Sequence, residues 1–208
     1  MKDILSLVPT KVNDYVISLI DGQELIIKIV PERKTKHGDF RKSNKKYIIT
    51  INRINNKYRF LLILIHELAH FNVYKKKIRT KPHGSIWKNE FKKLLQPVLD
   101  KKIFPNQLQI LIQHHMKNPK SSFSYDSHLE MELNKYDNNI KDYTYLEEVE
   151  IGNVFRNNDK YYKKIEKRRK RYLCIEKDSG RKYLFLPHAK VELIWKKLQL
   201  VDILIQFM

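Results

Sequence analysis

A single cysteine, Cys174, is the clearest shortage in this chain of 208 residues. One thiol makes neither an intramolecular disulfide nor a cysteine-based zinc site. Any metal held here must use His, Asp or Glu, and Cys174 reads as a small buried apolar residue on a strand. Long hydrophobic runs are also missing. The longest, Phe60 to Ile65, is far shorter than the ~20 residues of a membrane helix, and it ends at His66-Glu67. Met1-Lys2-Asp3 opens a short apolar patch that no small-residue cleavage site follows, so no signal peptide is expected. These absences predict a soluble protein of the cytoplasm.

Acidic side chains are scarce beside basic ones. There are 23 Asp/Glu against 42 Lys/Arg, for a net charge of +19. The excess is uneven: residues 1–120 carry 25 bases and 9 acids, residues 121–208 carry 17 and 14. A field of this sign favours polyanionic partners, because Lys and Arg displace counterions from phosphates. About two fifths of the residues are apolar, enough for a packed core, and no internal repeat is visible.

Hydrophobic spacing predicts a helix over 4–20, interrupted near Pro9, then strands over 25–30 and 47–51. Between the strands lies a basic, glycine-containing stretch, Arg33 to Arg41. Asn55-Asn56 offers a cap for a helix over about 58–74, apolar almost all round between Phe60 and Ile65. Trp87, Phe91, Leu94, Leu95 and Val98 mark the buried face of another helix from Ser85. Residues 117–142 are polar and read as a connector with a short helix near 129–136. From Tyr145 the pattern becomes strands and turns, with turn signals at Asn157-Asn158-Asp159 and Asp178-Ser179-Gly180 and a closing helix or strand near 191–207.

His66-Glu67-Leu68-Ala69-His70 carries the chemistry. Positions i and i+4 of a helix share a face, so two imidazoles can meet one Zn²⁺ while Glu67 reaches toward water as general base. Three polar groups in an otherwise apolar helix would cost about 1–3 kcal/mol each if left unsatisfied. A catalytic zinc takes a third protein ligand and keeps its fourth position open. His83, in Pro82-His83-Gly84, and Glu90, in Asn89-Glu90, are the candidates. His83 is the better placed, because Gly84 lets the chain turn as the next helix begins, whereas Glu90 flanks the Trp87/Phe91 stripe like a solvated glutamate. His37 reads as a loop residue, and His114-His115 as helix surface.

A second signal lies at 160–171, where eight bases and one acid are interleaved with Tyr161 and Tyr162. Rings within a basic surface suit single-stranded nucleic acid. Lys167, Arg168, Arg169, Lys170 and Arg171 are the candidate contacts, and Lys75-Lys76-Lys77 and Lys92-Lys93 could add to the field.

The zinc motif, followed by Pro82-His83-Gly84-Ser85-Ile86-Trp87-Lys88 and preceded by Lys36-His37-Gly38-Asp39-Phe40 and Tyr47 to Asn52, resembles the SprT-like zincin family, which includes Spartan-type proteases of DNA–protein crosslinks. The resemblance covers roughly residues 1–115. The expected fold is α+β, with a linker over 119–142 and a small antiparallel β module over 143–208 read from composition and the strand-and-turn pattern; the resemblance implies that 1–118 is a zincin-like metalloprotease domain of helices and a small sheet. It also implies one catalytic Zn²⁺ on His66, His70 and His83, Glu67 as base, and proteolysis of proteins on DNA. Zincins commonly take substrate as an added strand beside the metal helix, and the strand at 47–51 is a candidate edge. The chain departs from the fuller family pattern in lacking the cysteines of a Cys₄ ribbon. A nucleic-acid-binding protein with a vestigial zinc site, and a zinc hydrolase of non-peptide substrates, are the alternatives.

Overall fold

The computed structural model describes residues 1–33, 35–43, 46–77, 79–137 and 143–194. The chain is α+β and divides into two compact units, Met1–Asn138 and Asn139–Met208.

In the first unit, α1 (Lys2–Ser6) and α2 (Asn13–Ile20) replace the single expected helix, with Pro9 and a 3₁₀ turn at Thr10–Val12 between them. A three-stranded sheet follows, in the order β1 (Leu25–Val30), β3 (Lys46–Asn52), β2 (Gly38–Ser43). β1 runs parallel to β3 and β2 antiparallel to it. Two expectations change here. The 47–51 strand is central rather than an edge, and part of the basic stretch after Pro31 forms the edge strand β2. That stretch hides its strand character because its residues are only half-buried or exposed, so no apolar alternation marks it.

α3 (Lys57–Lys75) is the central helix, and Phe60 to Ile65 are all buried. Complete burial explains an apolar surface with no single stripe. Asn56 caps it by accepting from the Arg59 N–H at 3.0 Å. α4 (Ser85–Asp100) and α5 (Asn106–Lys117) complete the layer behind it. The expected connector does not stay outside this core. Phe123 and α6 (Ser127–Asn134) enter it, with Leu129 and Leu133 fully buried. α6 also clamps the start of α3. The Arg59 guanidinium reaches Glu130 at 2.9 Å and Asn134 at 3.1 Å, and the Asn56 amide donates to the Leu133 carbonyl at 2.7 Å. Residues 138–142 of the expected linker lie outside the described residues.

The second unit holds β4 (Thr144–Tyr145), β5 (Val154–Asn157), β6 (Lys160–Arg168), β7 (Arg171–Glu176), β8 (Lys182–Phe185) and β9 (Lys190–Leu193). They form one sheet in the order β4-β9-β5-β6-β7-β8, antiparallel at every pairing. Leu146, Phe155, Tyr162, Tyr172 and Cys174 build its core. Cys174 is buried on β7 as expected, and burial raises its thiol to about 11. The expected closing element is a strand at its start, and its continuation from 195 lies outside the described residues.

Candidate metal centre

His66 and His70 project from successive turns of α3, and His83 comes to them from the loop before α4. Their Nε2 atoms form a triangle: 3.3 Å from His66 to His70, 3.1 Å from His66 to His83, and 3.0 Å from His70 to His83. Three nitrogens on a tetrahedral Zn²⁺ at its usual bond length would stand roughly 3.3 Å apart. A neutral Nε2 carries either a proton or a lone pair. Among three such atoms in mutual contact, two must therefore present the same thing to each other. A cation facing three lone pairs removes that conflict, so these histidines could hold a metal ion.

The local chain explains how His83 arrives. Lys81 to Gly84 form a tight turn closed by the Gly84 N–H donating to the Lys81 carbonyl at 3.0 Å. Pro82 holds the second position, and His83 the third with φ at 58°. Glycine is the usual occupant there, since positive φ costs an L-residue about 1–2 kcal/mol. Gly84 does not supply the turn conformation, as its φ is an ordinary −71°. It is small because a Cβ there would sit 3.0 Å from the Lys81 carbonyl oxygen.

Trp87 backs the triangle. Its ring lies 4.6 Å from His66, 5.2 Å from His70 and 4.7 Å from His83, and stacks on Phe91 behind. This apolar floor sets the electrostatics. Burial holds His66 well below the ordinary imidazole range, brings His70 down to about 4, and lowers His83 as well. All three are thus kept neutral, the form that binds metal.

Glu67 is buried beside the triangle, against β2. The Phe40 N–H donates to its carboxylate, and Gly38 lies so close that an added Cβ would be 2.9 Å from Oε1. Burial, with the Asp39 charge second, raises Glu67 to about 8. A dication among the histidines would act in the opposite direction. Asp39 is itself held down to about 2 by hydrogen bonds from Thr50, Arg33 and Lys36, which offset its burial. A cleft of about 600 Å³ opens over the site between residues 35–40 of β2 and its approach and Ser121–Ser124 on the other wall.

Glu90 is not with the triangle. It is buried rather than solvated, and its oxygens take the Asn72 amide at 2.9 Å and the Lys76 ammonium at 2.5 Å. His37 lies in the bend before β2 and lines the cleft, outside the triangle. His115 corrects the sequence reading. His114 is exposed, but His115 is buried, with Nδ1 3.4 Å from Asp126 and its ring 5.5 Å from Phe123. Phe123 also contacts His66, so α5 supports the cleft wall. The sequence signal missed was the spacing of Leu108, Ile112, His115 and Met116, which places His115 on the buried side.

The basic run at 160–171 is split by its fold. Tyr162 and Lys164 point into the module core, while Lys160, Lys167 and Arg168 pair with Glu176, Glu147 and Glu166. Tyr161 stays exposed, and Arg169, Lys170 and Arg171 wall a shallow hollow with Arg168 and Leu184 at the β6–β7 tip. No family model, curated protein or solved structure matches this chain.

Proposed function

We propose that this protein is a zinc-dependent endopeptidase of SprT-like type that acts on proteins held at nucleic acid. The observation that carries the reading is the convergence of one buried and two half-buried neutral imidazoles with a buried carboxylate on the next helical position, all opening on one cleft. Zn²⁺ on His66, His70 and His83 would supply a Lewis acid for a peptide carbonyl and would acidify water.

The chain's own groups do the rest. Glu67, positioned by the Phe40 N–H, takes a proton from the attacking water at one carboxylate oxygen and returns it to the departing amine. β2 orients the substrate. The His37 carbonyl accepts from the Asn52 N–H, so His37 and Asp39 face β3 and the main chain of Gly38 and Phe40 faces away from it. An extended peptide added there pairs with the outward main-chain groups other than the Phe40 N–H, which Glu67 takes, and main-chain pairing gives affinity with little sequence demand. Trp87 and Phe123 exclude water from the inner side of the site.

The nucleic-acid part of the reading rests on the charge of +19. Shared binding to one polyanion raises the local concentration of substrate, so a deep specificity pocket is unnecessary. The test is cleavage of a DNA-binding protein by zinc-loaded chain with and without single-stranded DNA. Stimulated cleavage that disappears in Glu67→Gln is expected. Nucleic-acid binding without cleavage would favour a vestigial metal site, and turnover confined to small ester or amide probes would favour a non-peptide hydrolase.

A further inference from the structure

Four rings meet where the last turn of α3 lies against the β2–β3 hairpin. Tyr47 is 5.4 Å from Phe71 and 5.9 Å from Tyr74, and Phe40 is 5.6 Å from Tyr74. Phe71 is buried, Phe40 and Tyr47 are half-buried, and Tyr74 is 47% exposed. The cluster therefore starts in the core and ends in solvent.

Basic residues surround the exposed end. Lys42 comes from the hairpin face that carries Phe40 and Tyr47, and Lys75, Lys76 and Lys77 from the end of α3, all of them exposed, while Arg41 and Lys46 alternate to the opposite face of the sheet. The Lys42 ammonium stands 6.0 Å from the centre of the Tyr74 ring. Lys75 donates to the neutral Gln23 amide oxygen at 2.7 Å, and Lys76 is engaged by Glu90. Glu24 precedes the Leu25–Tyr47 pair. Cations outnumber acids around the ring.

We propose that this platform binds single-stranded nucleic acid, one base stacking on Tyr74 and the neighbouring phosphates lying on Lys42, Lys75 and Lys77. A duplex offers phosphates but keeps its bases stacked on one another, so it matches the cations and leaves the ring unused. An acidic peptide does the same. Only an unstacked strand uses both parts of the surface. Tyr74 lies one turn beyond His70 on the same helix, an axial rise of about 6 Å. A strand on the platform would hold an attached protein beside the cleft. This deepens the nucleic-acid half of the proposed function, and it does not depend on the metal site cleaving anything. It also places binding on the first unit rather than at the 167–171 tip.

The experiment measures binding of a labelled oligothymidylate, by anisotropy over a range of salt, to the full-length Glu67→Gln chain. Tyr74→Ala should weaken binding roughly 5- to 100-fold, as loss of one stacked base does, while Tyr74→Phe should restore it. The pair Lys42→Ala and Lys77→Ala should lower the salt slope by up to about 1.4, or ~0.7 per phosphate released. Duplex DNA should bind with no dependence on Tyr74. An oligonucleotide carrying 5-iodouracil should photocrosslink to the peptide containing Tyr74, a readout on the unsubstituted ring. Unchanged affinity in Tyr74→Ala with crosslinks elsewhere overturns the proposal. So does loss of binding confined to Arg169→Ala with Arg171→Ala, which assigns the strand to the β6–β7 tip. Equal, Tyr74-dependent competition by polyglutamate assigns the platform to acidic proteins.

Discussion

Gly38 on β2 gives Glu67 its place: a methyl group at position 38 would stand 2.9 Å from Glu67 Oε1 and 2.9 Å from Ile63 Cγ2. Ile63 belongs to the packed helix and cannot retreat, whereas the carboxylate can rotate. Gly38→Ala should therefore push Glu67 off the Phe40 N–H and leave the histidines in place. Displacing a proton-transfer group by part of an ångström costs roughly 10- to 100-fold in turnover. The expected result is a fall in kcat at unchanged metal content, read by steady-state kinetics alongside elemental analysis. Loss of metal in Gly38→Ala would show that β2 supports the triangle itself.

His83 and Glu90 separate cleanly by mutation. His83→Gly relieves the positive φ at that position, so the turn and the fold should survive while the third nitrogen is lost. Elemental analysis should find the purified variant largely metal-free, with a melting temperature no lower than that of the metal-free parent. Glu90→Ala should keep its metal but lose stability by about 1–3 kcal/mol, because the Asn72 amide and Lys76 lose their buried partner. A metal-free Glu90→Ala together with a metal-replete His83→Gly would reverse the ligand assignment.

The two histidines and the glutamate on α3 were legible because a helix fixes which side chains share a face. His83 was legible through Gly84 beside it, but the reason was a different one: the left-handed turn falls on the histidine, and Gly84 answers a close carbonyl instead. β2 was not legible. Its sequence, Gly38 to Ser43, is glycine, charge and one aromatic, and it becomes a strand only because Tyr47 to Asn52 lies beside it to be paired. The same limit hid α6. Ser, Asn, Asp and Lys dominate the composition of 117–142, and among its described residues Phe123, Leu129 and Leu133 are the ones that enter the apolar core as fully buried side chains. Composition averages over residues, whereas packing is decided by the few that touch. In the second unit the turns read correctly, since Asn158 and Asp159 both adopt positive φ, but a charge count could not tell which lysines face inward.

Metal binding should resist acid more than three free imidazoles would. Burial lowers the pKa of all three histidines, His70 to about 4. A depressed pKa means the neutral ligand persists below the ordinary value near 6.5, so protons compete with metal only at lower pH. Zinc affinity, measured by chelator competition, should stay level from pH 8 to about pH 6.5. It should then fall as pH approaches 4, and Co²⁺ spectra should report the same window. A steep loss between pH 7.5 and 6.5 would mean that the imidazoles are solvated.

Lys164 tests how the second unit holds a buried charge. The residue is 2% exposed, and strand alternation from buried Tyr162 places it on the inner face. Its ammonium donates to the Leu146 carbonyl at 2.8 Å and to that of Val149, and lies 3.7 Å from the centre of the Tyr172 ring. Leu146 opens a 3₁₀ turn and Val149 follows it, so the lysine works as an internal cap that ties the two ends of the turn together. Lys164→Met keeps the apolar stem and removes the charge. Leaving buried acceptors unpaired should cost about 2–3 kcal/mol, read as faster hydrogen exchange in β6 and β7. The salt slope of nucleic-acid binding should not move, because this ammonium never reaches solvent. A lower slope at unchanged exchange would mean that the Lys164 charge is presented to phosphate after all, and that the buried cap is not its role.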